Sequence, residues 1–177
     1  MTDLILPRTD DEGKFYISYS QFSSFTINGK LEYIRSYFLG KRFPDPGWAE
    51  FGQEVEDFIC GEEREYSFTE IEKERLRKIT PLGKFQTEIK APIFDNVYLL
   101  GYIDDATLDF FKIRDYKTAS DSSRQRYYKD NYIQLLLYCE GVKQIIGEYP
   151  KEAEVCIIER ECNCRNMVER RDLLSVG

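Results

Sequence analysis

Histidine is missing from this sequence, and so are long apolar runs and net positive charge. Without histidine, any metal site in the chain must use ligands other than imidazole. No apolar stretch approaches the roughly 20 residues that a membrane-spanning helix needs, and the first twelve residues are polar, without the apolar core of a signal peptide. We therefore expect a cytoplasmic protein (in the host cytoplasm if it is viral) that has no membrane partner.

The net charge of -7 and the isoelectric point near 4.9 argue against a protein that simply coats nucleic acid, because such binding depends on neutralising many phosphates. One local basic track follows Lys117, where cationic side chains are interleaved with tyrosines. Its cations could contact phosphates while a tyrosine stacks on an exposed base. The alternative is a solvated helix start with the tyrosines turned into the core. The candidate nucleic-acid-binding residues are Arg124, Arg126, Tyr127 and Lys129.

The 177 residues favour one domain with a packed core, since hydrophobic residues make up 42% and the chain has 13 Tyr and 12 Phe. Ser18 or Ser20 and, further on, Thr69 are predicted helix N-caps. Helices are predicted at 31–38, around Glu56, at 69–79 and at 122–147, and strands at 84–91, 97–107, 109–118, 154–161 and 166–172. This order predicts an α/β fold with a mixed central β-sheet flanked by helices, comprising a helical part at about 18–80 and a core at about 84–172.

Two acidic residues and a lysine belong to the strands predicted at 97–107 and 109–118. Because side chains alternate across a strand, Asp115 and Lys117 should project to one face and Tyr116 to the other. Carboxylates on neighbouring strands suit Mg²⁺, which prefers hard oxygen ligands, so Asp104 and Asp115 are candidate metal ligands. Beside them, the Lys117 ammonium would orient an attacking water or stabilise a phosphate transition state. This combination is typical of phosphodiester cleavage.

An isolated Asp-x-Lys is more often a surface salt bridge on a hairpin, which is the alternative for these side chains. Here, however, both acids belong to strongly apolar strand sequences, where a charge is unfavourable unless it is paired or metal-bound. The helix that follows adds Gln134 and Tyr138, which lie one turn apart on one face. A tyrosine turned into the core beside an ordinary polar residue is the alternative for this pair.

The order G-x-x-D ending at Asp104, D-x-K from Asp115 to Lys117 and Q-x-x-x-Y from Gln134 to Tyr138 resembles the PD-(D/E)XK nuclease superfamily, in its RecB-like, Cas4-like exonuclease branch. The resemblance runs from about residue 18 to about residue 155 and rests on the order and spacing of short motifs. It implies a restriction-endonuclease-like core in which Asp104, Asp115 and Lys117 are catalytic. Gln134 and Tyr138 would contact substrate or brace the carboxylates.

The first motif of that family commonly reads Gly-x-x-x-His, and here Gly52 is followed by Glu56 at the histidine position. Because a carboxylate is a harder ligand than imidazole, the resemblance implies Glu56 as a third metal ligand. The Tyr116 backbone carbonyl would complete the set. Glu88 is more consistent with a strand-surface charge than with an accessory site residue. A neighbouring acid on the helix is the alternative to Glu56, and the candidates are Glu50, Glu54 and Asp57.

Some relatives hold an iron–sulfur cluster with one early and three late cysteines, but none of the five cysteines here lies in the first predicted helices. The late group has the spacing C-x5-C-x-C and lacks the C-x2-C of such clusters, so no iron–sulfur cluster is expected. In a chain without targeting signals the thiols should be reduced. Cys60 and Cys139 fall in predicted helices and are expected in the core.

We expect a metal-dependent deoxyribonuclease that uses Mg²⁺ or Mn²⁺, first of all an exonuclease acting on duplex ends or single strands in DNA recombination, repair or phage DNA processing. A structure-specific endonuclease is a second hypothesis, since different loops around the same core would change the substrate. A catalytically silent nucleic-acid-binding module is a third, because of the lost histidine and the acidic composition. DNA is the expected partner, and a homo-oligomer or a recombination protein is a further candidate.

Overall fold

A computed structural model describes residues 8–41, 47–119, 133–161 and 164–175, with side chains as far as residue 159. In this part of the chain, seven strands form one mixed sheet with helices packed against both faces. The α/β class with a mixed, helix-flanked sheet is therefore confirmed. Within the same residues, no helix is both long enough and apolar enough to cross a bilayer.

The N-terminal part begins with an antiparallel pair of short strands, β1 (Arg8–Thr9) and β2 (Phe15–Ile17). Ser18 caps the next helix: its hydroxyl accepts a hydrogen bond from Gln21 N, and the Gln21 side chain accepts one from Ser18 N. Of the two serines predicted as caps, Ser18 is the one used. Helical structure continues as predicted through 31–38, and the elements are α1 (Tyr19–Ser23), a π-helical turn (Ser24–Asn28), α2 (Lys30–Tyr33) and a second π-helical turn (Ile34–Phe38).

Two helices precede the central strands, α3 (Trp48–Cys60) and α4 (Glu70–Leu76). The first is the helix predicted around Glu56. The second begins at the predicted capping box, in which the Thr69 hydroxyl accepts from Glu72 N and the Glu72 carboxylate accepts from Thr69 N. It ends before the predicted boundary at residue 79, because the chain turns there instead.

Three central strands follow, β3 (Lys84–Phe94), β4 (Val97–Ala106) and β5 (Lys112–Ala119). The prediction that the third strand begins at residue 109 after a very tight turn is wrong. Phe110 N donates to Thr107 O at 2.9 Å and closes a wider turn, in which Phe110 adopts a φ of 57° and buries its ring. The aromatic run was mistaken for strand sequence because a buried turn residue carries the same apolar signal.

Helix α5 (Ile133–Ile146) leads from β5 to β6 (Glu152–Glu161), and β6 runs parallel to β5. Strand β7 (Cys164–Ser175) returns antiparallel to β6. The helix predicted at 122–147 is confirmed from residue 133, and its first part lies outside the described residues. The predicted terminal hairpin is confirmed, with both strands longer than expected.

Strand β4 has β2 and β5 on the same edge. Strand β3 pairs with β4 from Val97 to Ala106 and so fills the other edge. Along the shared edge, β2 pairs with β4 as far as Leu99, and the described pairs with β5 are confined to Asp105 and Ala106. The edge of β4 is therefore open between them. We call this opening, formed by residues 100–104 of β4 and 115–117 of β5, the β4–β5 fork.

Two apolar clusters lie on opposite faces of the sheet. Helix α5 covers one face with a cluster that includes Ile103, while α3 and α4 cover the other around Val55 and Tyr116. Cys139 is buried as expected, whereas Cys60 is only partly buried at the end of α3. The fork lies between these clusters, so side chains from both layers can reach it.

Candidate active site

Asp104 lies where the side-chain alternation of β4 is interrupted. Ile103 and Ala106 both pack in the α5-side cluster, although strand residues three positions apart normally point to opposite faces. The strand is therefore irregular at Asp104 and Asp105. The Asp104 carboxylate accepts a hydrogen bond from Tyr116 N at 2.7 Å, so a side chain bridges the fork where the backbone pairing has ended.

Asp115 and Lys117 share one face of β5, as predicted, while Tyr116 packs in the opposite cluster. The Asp115 side chain is fully buried, and its Oδ2 lies 2.5 Å from Lys117 Nζ. The same ammonium donates to the Tyr116 carbonyl at 3.2 Å. The positive charge of Lys117 therefore lies against two of the groups that were predicted to hold a metal ion.

Helix α5 brings Gln134 and Tyr138 to the fork. Gln134 Nε2 donates to Asp115 Oδ1 at 3.1 Å and to the Tyr138 hydroxyl oxygen at 2.7 Å. The amide thus fixes the carboxylate oxygen that Lys117 does not contact. The resemblance implies that this pair contacts substrate or braces the carboxylates, and these hydrogen bonds correspond to bracing Asp115.

Gly101 gives the Tyr138 ring room to lie against β4. A Cβ atom at position 101 would lie 2.8 Å from Tyr138 Cε1, which is closer than packed carbon atoms approach one another. A side chain at this position would therefore displace the phenol from the fork. This contact is a physical reason for the glycine that opens the G-x-x-D motif.

The substitution Gly101→Ala is expected to push Tyr138 away and to loosen its hydrogen bond with Gln134. Gly141→Ala is the matched control, because its Cβ would meet Ile89 at 2.7 Å in the same apolar cluster, away from the fork. Both changes should lower the free energy of unfolding, by about 1–3 kcal/mol as for other overpacked cores, which urea titration measures. Only Gly101→Ala should also lower the rate of the nuclease activity that the sequence predicts, and equal rates in the two variants would contradict this role.

Glu56 is the acid of α3 that turns toward the fork. Glu54 instead accepts hydrogen bonds from the backbone N–H and the hydroxyl of Ser67, and Asp57 forms an ion pair with an arginine. Glu50 is exposed. The alternatives that the sequence left open are thus engaged elsewhere or face solvent, which favours Glu56 as the third carboxylate.

Within the described part of the chain, the three carboxylates interact with one another and with the Lys117 ammonium. Burial raises the pKa of Glu56 to about 7, with Lys117 opposing the rise and Asp115 adding to it. Burial also raises the pKa of Asp104 well above its ordinary range, and Asp115 raises it further. Burial alone would lower the pKa of Lys117, but Asp115 and Asp104 hold it above its ordinary value. Ionising all three carboxylates is therefore unfavourable unless a further cation, such as a divalent metal ion, lies among them.

The raised pKa of Glu56 predicts a pH dependence of stability in the metal-free protein. A carboxyl group whose folded pKa is raised stabilises the fold below its unfolded pKa of 4.5, and this contribution is lost as the pH rises through about 7. In EDTA, the free energy of unfolding should thus fall between about pH 5 and about pH 8, and Glu56→Gln should make the fall smaller. Urea unfolding at both pH values measures this, and an unchanged fall in Glu56→Gln would refute the assignment.

A buried ion-pair cluster lies next to the fork, and sequence reasoning missed it. Arg114 Nη1 lies 3.3 Å from Asp105 Oδ2, and Arg114 also pairs with Glu154 on β6. Asp105 accepts hydrogen bonds from the backbone N–H groups of residues 82 and 83, which fixes the turn before β3. A sequence signal existed, because Asp105 and Arg114 are charges beside the fork aspartates in apolar strands and need partners when buried.

The donor atoms of the fork fit Mg²⁺ or Mn²⁺. Among the residues that the structure describes, no three His, Cys, Asp or Glu side chains are already grouped as a metal-binding cluster. The oxygens present are nevertheless the hard carboxylate and carbonyl donors that these ions prefer. Asp115 Oδ2 is buried, and its close partner is the Lys117 ammonium, a cation that a metal ion could replace. The residues that would hold the ion are Asp104, Asp115, Glu56 and, through its carbonyl, Tyr116.

The remaining predicted residues are Glu88 and the four residues of the basic track. Glu88 is exposed and bonds to Tyr102 and Lys90, as expected of a strand-surface charge. The four predicted nucleic-acid-binding residues lie outside the described residues, so their role stays a prediction, and they are Arg124, Arg126, Tyr127 and Lys129. Comparison with known proteins adds no assignment, because neither a protein-family model nor a curated protein sequence matches this chain.

Proposed function

We propose that this chain is a metal-dependent deoxyribonuclease of the RecB-like PD-(D/E)XK type, a hydrolase that uses Mg²⁺ or Mn²⁺. The observation that carries the proposal is the convergence of β4, β5 and α5 at one fork in the sheet. Strands β4 and β5 are neighbours in the chain, but α5 comes later, so the arrival of its polar side chains at the fork does not follow from local structure. The residues concerned are Asp104, Asp115, Lys117, Gln134 and Tyr138.

In this proposal, each residue of the fork has a separate task. Asp104 and Asp115, with Glu56 and the Tyr116 carbonyl, would hold the ion, which would supply charge neutralisation on the scissile phosphate and a nucleophilic water. Lys117 orients the attacking water or stabilises the phosphate transition state electrostatically through its ammonium. Gln134 keeps the Asp115 carboxylate oriented, and Tyr138 holds the Gln134 amide in turn.

The proposed substrate is DNA, as duplex ends or single strands. An exonuclease is preferred, because a compact chain without an expected iron–sulfur cluster resembles stand-alone recombination exonucleases. A structure-specific endonuclease is the alternative within the same chemistry, since loops around the fork decide which strands enter it. The proposed setting is DNA recombination, repair or phage DNA processing in the cytoplasm.

A catalytically silent nucleic-acid-binding module is the second candidate. One observation favours it: the Lys117 ammonium already neutralises Asp115 at 2.5 Å, an arrangement that is stable without a metal ion. The glutamate at the family's histidine position is compatible with the same interpretation. Such a protein would bind DNA and leave it intact.

The test of the proposed function is incubation of linear single-stranded, linear duplex and closed circular single-stranded DNA with Mg²⁺, Mn²⁺ or EDTA. Asp115→Asn is the matched control, since it keeps the shape of the side chain and removes its charge. We expect linear DNA to be degraded with either metal and to stay intact with EDTA or Asp115→Asn.

The circular substrate separates the two nuclease candidates. An exonuclease spares it because it has no ends, whereas an endonuclease cuts it. Folded wild-type protein that binds DNA and cleaves none of the three substrates with either metal would contradict the proposal and favour the binding module.

A further inference from the structure

Gln86 has an unusual backbone conformation inside a strand. Its φ is 45°, and among the described residues the other non-glycine residue with positive φ is Phe110, which lies in a turn where such values are common. A glutamine in this conformation is disfavoured, because its Cβ approaches the following carbonyl oxygen. Conformations of this kind persist where the surrounding structure imposes them, and they are concentrated at functional sites.

The distortion at Gln86 coincides in register with Asp104. The flanking pairs between β3 and β4 are Phe85 with Asp105 and Thr87 with Ile103, so Gln86 stands opposite Asp104. It has no Cα partner in the described pairing, unlike the residues on either side. The β3–β4 pairing is therefore interrupted at the same level as the β4–β5 fork.

The Gln86 side chain connects the sheet to helix α3. Its Nε2 donates to Glu56 Oε2 at 3.3 Å, and this is the hydrogen bond that the Glu56 side chain makes among the described residues. The bond thus fixes the direction of the Glu56 carboxylate.

We propose that Gln86 is a positioning residue that holds the Glu56 carboxylate toward Asp104 and Asp115 for metal binding. The inference rests on the proposed function, because it gives Glu56 a task only if the three carboxylates act together. Gln86 acts through Glu56 and does not itself ligate the ion. The strained φ of Gln86 directs its side-chain amide toward Glu56, so the hydrogen bond depends on the backbone conformation.

Two substitutions separate the amide from the backbone. Gln86→Gly accepts the positive φ without strain and removes the amide, whereas Gln86→Asn tolerates the same φ and keeps an amide one methylene shorter. Glu88→Gln is the control, since it changes an exposed polar side chain two positions along the same strand. Thermal unfolding checks that every variant folds.

The readout is Mn²⁺ binding measured by isothermal titration calorimetry without DNA. Gln86→Gly should weaken the affinity about tenfold, the lower end of what residues that orient metal ligands contribute, with a smaller loss in Gln86→Asn and none in Glu88→Gln. The double variant Gln86→Gly/Glu56→Gln should bind Mn²⁺ no more weakly than Glu56→Gln alone, because both changes remove the contribution of the Glu56 carboxylate. An unchanged affinity in Gln86→Gly, or full additivity with Glu56→Gln, would overturn the inference.

The outcomes also separate this inference from the proposed function. If wild-type protein binds Mn²⁺ with the expected dependence on Gln86 but cleaves no DNA, the nuclease proposal is contradicted and the positioning role of Gln86 stands. If wild-type protein cleaves DNA and Gln86→Gly binds Mn²⁺ normally, only the positioning role of Gln86 is contradicted. Wild-type protein that binds no Mn²⁺ at all would overturn both.

Discussion

Replacing Lys117 with alanine is expected to lower the DNA cleavage rate by roughly 10²–10³-fold, the range found when one preorganised electrostatic donor is removed from an active site. The reason is that, among the described residues, Lys117 supplies the ammonium of the fork, where it contacts Asp115. Lys117→Met keeps the length of the side chain without its charge and should lose as much. Lys90→Ala, which removes an exposed lysine paired with Glu88, should leave the rate unchanged.

The same substitution is expected to leave Mn²⁺ affinity unchanged or to increase it. In the metal-free protein the Lys117 ammonium contacts Asp115 Oδ2 and the Tyr116 carbonyl, so a metal ion has to displace it. Removal of the ammonium therefore removes a competitor for the site. Calorimetric titration of Lys117→Ala measures this, and weaker Mn²⁺ binding together with normal cleavage would contradict both roles.

Arg114→Met is expected to have the largest effect on stability. Glu154 keeps its ion pair with Lys112 at 2.8 Å, but the Asp105 carboxylate is left buried without the cation that paired with it. Breaking a buried ion pair from one side destabilises a protein by about 3–5 kcal/mol. Urea unfolding measures this loss. Arg77→Met is the matched control. Arg77 is exposed and lies as far as 4.0 Å from its partner Glu70, so its loss should change stability little.

The two arginine variants test whether the buried cluster stabilises the fold. A similar small loss in both would contradict the account of Arg114 as the centre of a buried network. If Arg114→Met does not fold, the milder Arg114→Lys keeps the charge and loses the multiple contacts of the guanidinium, and it should fall between wild type and Arg114→Met.

Local signals predicted the parts of this fold that depend on neighbouring residues. The caps at Ser18 and Thr69 followed from side chains that satisfy N–H groups within three residues of themselves. The shared face of Asp115 and Lys117 followed from the alternation of a strand. Spacing within one helix placed Gln134 next to Tyr138, and the structure adds the hydrogen bond between them.

Long-range geometry could not be predicted in this way. The position of β2 beside β4, which leaves one edge open as a fork, depends on pairing between segments distant in sequence. The positive φ of Gln86 and the pairing of Asp105 with Arg114 arise only when the strands meet. The start of β5 was misplaced because Phe110 is buried in a turn and carries the apolar signal of a strand.

The choice of Glu56 over its neighbours also needed tertiary structure. From the sequence, Glu54 was one of the alternatives to Glu56, because both residues belong to the same acidic helix. The structure separates them: Glu54 is held by Ser67, whereas Glu56 bonds to Gln86 beside the fork. The hydrogen-bond partners of these two glutamates come from other segments of the chain, so the pattern of the helix sequence could not show which of them faces the fork.

The most direct test of the central claim is the position of Mn²⁺ in crystals of the protein, located by anomalous diffraction. The claim is that Asp104 and Asp115 hold the ion in the β4–β5 fork. It predicts an anomalous peak beside these two carboxylates, with the Lys117 ammonium moved away from Asp115. A map from crystals saturated with Mn²⁺ that shows no peak in the fork, and Lys117 still paired with Asp115, would contradict it.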